Sequence, residues 1–253
     1  MDFEHVKAVF EEYLNEYDVE NDKVKLKIVH TYGVIRCSEE IGRRMGLQAE
    51  DMELAKLIAL LHDIGRFEQL KRFNSFEADT MDHATYGVQV LFEEGMIRQF
   101  IEEDTWDDVI RTAIAKHSDY ELTGITDERT LLHARLIRDA DKLDNCRVKL
   151  EDAMETLLDL SADEVGKYAI SPKVREDAFA GKCICSKDRR TPMDYWVSYV
   201  AYFYDLNFRE TLDIVAEEQY VKRIIGRVPY TNEQTKKTME ELERQLTEYV
   251  RRK

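Results

Sequence analysis

Apolar residues recur along this chain at helical spacing almost from end to end. Phe3, Val6, Phe10 and Leu14 fall on one stripe and predict a first helix over about residues 2 to 17. Asn21-Asp22 can cap a longer second helix that runs to Gly46, with Leu26, His30, Val34, Cys37 and Ile41 facing inward. The stretch Leu54 to Phe67, LAKLIALLHDIGRF, has almost no polar face and predicts a helix buried on most sides. It ends in His62-Asp63, with Gly65 placed to take the positive φ of a helix C-terminus. Arg66 to Thr80 reads as a polar and aromatic connection, after which helix resumes near Met81 with His83, Gly87, Val90 and Leu91 on one face. Trp106, Val109, Ile110, Ala113 and His117 mark the next helix. One from about Asp127 to Leu150 carries Ala134, Ile137, Asp141 and Asp144 on one side.

Beyond that the pattern loosens. Ser161 to Pro192 holds two prolines, the pair Cys183-x-Cys185 and the basic run Lys187 to Arg190, and reads as a solvated connector or a loop over a site. Helical spacing returns at Met193, where the aromatics from Tyr195 to Tyr204 read as packing. Thr231-Asn232-Glu233-Gln234 reads as a capping box that opens a last helix through Met239, Leu242, Leu246 and Tyr249.

Ten glycines and three prolines in 253 residues, with 35% charged residues, suit this all-α reading, and no linker separates independent domains. A single domain over 1 to 253 is expected, with a core over 22 to 150 and a helical extension over 151 to 253. The net charge of −15 argues against nucleic-acid polymers and anionic membranes as partners, since both are polyanions. With no signal-like N-terminus and no transmembrane-length apolar run, the cytoplasm is the expected location. Cys37 and Cys146 are expected as small buried hydrophobes.

Polar residues on the apolar stripes change the picture. Alone, His30 reads as a hydrogen-bonded core histidine, and Asp141 could pair with Arg138 or Lys142. Together, His30, His62, Asp63, His83, His117 and Asp141 lie on or at the ends of inward stripes of five successive helices, where unpaired polar groups cost several kcal/mol, roughly, each. A shared metal centre would satisfy all six.

The order H…HD…H…H…D, carried by His30, LLHDIGRF (60 to 67), DHATYGVQVL (82 to 91), IAKHSDY (114 to 120) and RDADKLDN (138 to 145), resembles the HD superfamily of metal-dependent phosphohydrolases. The resemblance implies an HD-domain helical bundle with a C-terminal helical extension. It also implies His30, His62, Asp63 and Asp141 as primary metal ligands, and His83 and His117 as ligands of a second metal bridged by Asp63. The double histidine of the cyclic-di-GMP-degrading HD-GYP proteins is missing, because Lys116-His117-Ser118-Asp119 stands in its place. Where the superfamily often has lysine after its HDxG, this chain has Arg66, whose planar fork suits phosphate oxygens.

The mixed N/O donors favour one or two Mn²⁺, Fe²⁺, Mg²⁺ or Zn²⁺ ions per chain. The expected function is hydrolysis of a small phosphoester, a nucleotide among the candidates, by a metal-activated hydroxide that Asp63 orients and Arg66 assists. Lys116, Lys142 and Arg147 are the candidate phosphate contacts beside Arg66. Two alternatives share the ligand set: an HD-type di-iron oxygenase, and a non-catalytic metal or nucleotide sensor.

Overall fold

A computed structural model describes residues 2–77 and 79–252, and the described residues contain helices and no strand. The protein is all-α: a helical bundle followed by further helices. It falls into two compact units, Met1–Asp144 and Asn145–Lys253. Among the described residues, no helix is long and apolar enough to cross a membrane.

In the first unit, α1 (Phe3–Leu14) buries Val6, Phe10 and Leu14, and Asp2 caps it by accepting from the amides of Glu4 and His5. Helix α2 (Asp22–Met45) is bounded as its sequence predicts: Asn21 accepts from the Lys23 and Val24 amides, and Gly46 closes it at φ 73°. Helix α3 (Ala49–Leu61) is the buried central helix, its residues from Leu57 to Leu61 sealed from solvent. Next come α4 (Ile64–Phe73), α5 (His83–Val88), a π-helical turn over Gln89–Glu93, α6 (Ile97–Phe100), α7 (Asp107–Lys116) and α8 (Glu128–Glu151). The boundary between the units falls inside α8. Helix α2 packs on α3 and α4, α4 on α5, and α5 and α3 on α7.

Helix α4 departs from the sequence expectation. Gly65 does not terminate a helix with a positive φ, and Arg66 to Phe73 is not a connection. The chain turns at Asp63 and starts a new helix in which Gly65 belongs to the first turn. Glycine is required there for closeness. A Cβ at residue 65 would stand 2.2 Å from the His83 carbonyl oxygen and 2.7 Å from the Gly87 amide nitrogen. Gly87 fulfils its expected role of admitting backbone, since it faces Gly65. Gly65→Ala is therefore expected to cost about 1–3 kcal/mol of stability, the usual range for forced overpacking, measured by urea unfolding.

In the second unit, α9 (Met154–Leu158), α10 (Ala162–Val165), α11 (Pro172–Phe179), α12 (Pro192–Ala201), α13 (Arg209–Glu217), α14 (Tyr220–Ile225) and α15 (Glu233–Arg252) follow in order. Ser161 to Pro192 is thus not an irregular connector. It holds two short helices and a 3₁₀ turn, and its capping boxes, Ser161 with Glu164 and Thr191 with Asp194, are invisible to apolar periodicity. The last helix is capped by Asn232, which accepts from the Thr235 amide, rather than by Thr231, whose hydroxyl lies 3.5 Å from the Gly166 carbonyl. Trp196 is buried, while Tyr199 and Tyr202 pack edge to face, as expected of the aromatic run. Cys146 is buried as expected; Cys37 is only partly covered, because it lies at the edge of the α2 stripe.

Candidate metal centre

Two of the histidines are set by the same local device. His62 follows the last residue of α3 and His117 the last residue of α7. Each donates from Nδ1 to the carbonyl three residues back, to Ala59 at 2.8 Å and Ile114 at 2.7 Å. A carbonyl only accepts, so Nδ1 carries the proton and Nε2 presents a lone pair. Arg138, itself buried, holds the end of α7 by donating from Nη1 to the carbonyls of Lys116, His117 and Asp119.

Asp63 stands between these helix ends, 3% exposed. Its Oδ1 is 3.2 Å from His83 Nε2 and 3.6 Å from His117 Nε2. Its Oδ2 is 3.6 Å from His62 Nε2 and 2.6 Å from Lys27 Nζ. Across α2 and α8, His30 Nε2 lies 3.0 Å from Asp141 Oδ1, and His30 Nδ1 donates to Asp144 Oδ2 at 2.8 Å. Gly33 makes room for this second carboxylate, because a Cβ there would fall 2.0 Å from Asp144 Oδ1. Five of the six residues singled out in the sequence form two overlapping groups, and His83 adjoins the second through Asp63. His30, His62 and Asp141 have donor atoms within 4.8 Å of one another, as do His62, Asp63 and His117.

The electrostatics follow from burial and these partners. Burial pushes His62 down to about 4 and, with Arg66 beside it, His83 down to about 3, so both rings are neutral near pH 7. For His30, burial and Lys27 oppose the charged form, yet the hydrogen bonds to Asp141 and Asp144 outweigh them and raise its pKa. Burial works against charge on Asp63 and Asp141 too. Lys27 and the histidines around Asp63, and His30 beside Asp141, nevertheless hold both carboxyls well below the usual range.

These donors fit a divalent metal. His62 Nε2 is buried without a hydrogen-bond partner, a costly state for a neutral imidazole lone pair unless a cation meets it. His83 Nε2 and His117 Nε2 are 3.1 Å apart. The first accepts from Arg66 Nη2 at 3.0 Å and the second donates from its opposite nitrogen, Nδ1, to Ile114, so the two Nε2 atoms come together beside a carboxylate oxygen. Two donors each about 2.0–2.1 Å from one metal, at angles near 90–109°, stand about 2.9–3.4 Å apart. The His83–His117 and His30–Asp141 spans match that separation.

The candidate substrate contacts are more dispersed. Arg66 reaches the centre: Nη1 donates to Gln69 Oε1 at 2.5 Å and to the Phe76 carbonyl at 3.3 Å, Nη2 faces His83, and Nε is 3.8 Å from Asp63 Oδ1. Lys116 Nζ is 3.5 Å from Asp119, Lys142 is half-buried beside Asp141, and Arg147, in the second unit, pairs with Glu151 at 3.0 Å. Sequence reasoning missed Lys27, Asp144 as a partner of His30, and Gln69, which is fully buried and ties Arg66 to the Glu77 carbonyl and the Thr80 hydroxyl. The signal for the first two was spacing: Lys27 is one turn before His30, and Asp144 one turn after Asp141.

Among known proteins, residues 28–146 match the model of the HD domain family. No curated protein and no solved structure matches the chain.

Proposed function

Through residues 28–146 this chain belongs to the HD domain family, whose members are generally metal-dependent hydrolases, and on that premise we propose that it hydrolyses a small phosphoester, with nucleotides as the first class to test. The observation that carries the reading is the division of Asp63: one carboxylate oxygen faces His83 and His117, the other faces His62, and Arg66 stands at their edge. His30, His62, Asp63 and Asp141 would hold one divalent cation, and Asp63, His83 and His117 a second. When bound, such a cation supplies Lewis acidity, which both acidifies water toward pKa ~7 and offsets charge on phosphoryl oxygens.

This chain's own side chains then have distinct tasks. Asp63 accepts a hydrogen bond from the attacking water and aims it. His62 and His117 keep their Nε2 atoms inward because the Ala59 and Ile114 carbonyls accept from Nδ1 on the outer side of each ring. Asp144 does the same for His30 by accepting from Nδ1, which orients the ring and raises its basicity. Arg66 donates to His83 Nε2 until that lone pair is used in ligation. Nη2 is then available for a phosphoryl oxygen, while Nη1 stays anchored to Gln69.

The test is elemental analysis of protein purified without added metal, joined to a panel of phosphomonoester and phosphodiester substrates. Turnover that needs the metal supports the proposal. A panel with no turnover, or two irons that consume O₂, overturns it in favour of the sensor or the oxygenase. Within the same assay, Arg66→Ala is expected to lower kcat by roughly 10²–10³-fold with metal content unchanged, because a charge-stabilising group is lost and no ligand is. Metal lost along with activity would make Arg66 structural.

A further inference from the structure

Lys27 sits on α2 one turn before His30, with its side chain 12% exposed and its ammonium 2.6 Å from Asp63 Oδ2. Phe76 lies against the same ammonium, 5.8 Å from ring centre to nitrogen. The oxygen it touches is the one that faces His62 Nε2, the buried lone pair without a partner. A positive charge is therefore built into the wall of the first cation position, on the oxygen that a metal between His30, His62 and Asp141 would have to share.

We propose that Lys27 is an internal counter-cation that sets metal affinity at the first position. With no metal bound it neutralises the buried Asp63 carboxylate, and during binding it opposes the incoming charge across a shared oxygen. A cation fixed about 4 Å from a second cation in a poorly screened site lowers affinity for the latter. The same ammonium compensates Asp63, whose burial alone would be unfavourable. Lys27 thus exchanges metal-free stability for weaker, reversible metal binding. This rests on the reading of His30, His62, Asp63 and Asp141 as metal ligands.

The experiment is calorimetric titration of Mn²⁺ into metal-stripped wild type, Lys27→Met and Lys27→Arg, with thermal melts at each Mn²⁺ concentration. Lys27→Met is expected to bind Mn²⁺ roughly 5–150-fold more tightly, the span of a typical coupling between sites. Its melting temperature should be lower than wild type without metal and rise more on saturation. Lys27→Arg, which keeps the charge, is expected to retain wild-type affinity. If Lys27→Met folds only once Mn²⁺ is added, the metal has replaced the ammonium and the proposal stands. Equal or weaker binding by Lys27→Met, or failure to fold even at saturating Mn²⁺, overturns it. Absence of Mn²⁺ binding by wild type itself would instead overturn the ligand assignment.

Discussion

Asp63→Ala is expected to remove bound metal and turnover together and to leave a less stable protein. One carboxylate oxygen faces His83 and His117 and the other faces His62, so loss of the carboxylate takes a donor from each position. Turnover should fall by at least roughly 10²–10³-fold. Stability should fall as well, because the Lys27 ammonium would stay almost covered without its partner, and breaking a buried ion pair from one side costs about 3–5 kcal/mol. Asp63→Asn separates the two effects: it keeps the shape, can still accept from Lys27, and lacks the charge needed to hold a divalent cation. Elemental analysis and urea unfolding of both variants check this. Metal content unchanged in Asp63→Ala would end the assignment of Asp63 as a ligand.

The ligand candidates were legible because each breaks a rule of burial. A histidine at the end of an apolar helix, or an aspartate within one, has to be satisfied by something, and the apolar stripe itself gives its direction. Lys27 breaks no such rule on paper, and its spacing one turn before His30 gives its side of α2 but not its partner. A lysine among Lys23, Lys25 and Lys27 reads as a solvated face, and only the packed structure shows its ammonium turned in to Asp63. Helix α4 was hidden for a related reason. Beyond Ile64, its polar residues Glu68, Gln69, Lys71 and Arg72 leave Phe67 and Leu70 as the buried apolar side chains that mark a face, Phe73 being exposed. Glycine at 65 also suggested an end where the structure has a close contact with the His83 backbone. Gln69 is polar yet fully buried, because its amide and carbonyl are matched to Arg66, Glu77 and Thr80, a pairing that no local periodicity announces.

Metal number follows from the second group of donors. His83 and His117 bring their Nε2 atoms to 3.1 Å from each other and to 3.2 and 3.6 Å from Asp63 Oδ1, a spacing that suits one shared cation. His83 is placed by the start of α5 against α4, and His117 by the end of α7 under Arg138, so neither depends on the His30–Asp141 group for its position. His83→Ala and His117→Ala are each expected to lower the metal ratio from about two per chain to about one, with His30, His62, Asp63 and Asp141 retaining the first. A ratio of one in the unmodified protein under metal-replete conditions, with both histidine nitrogens beyond ~3 Å of any metal against ligand distances of about 2.0–2.1 Å, would leave the pair as hydrogen-bonding groups beside a single-metal centre.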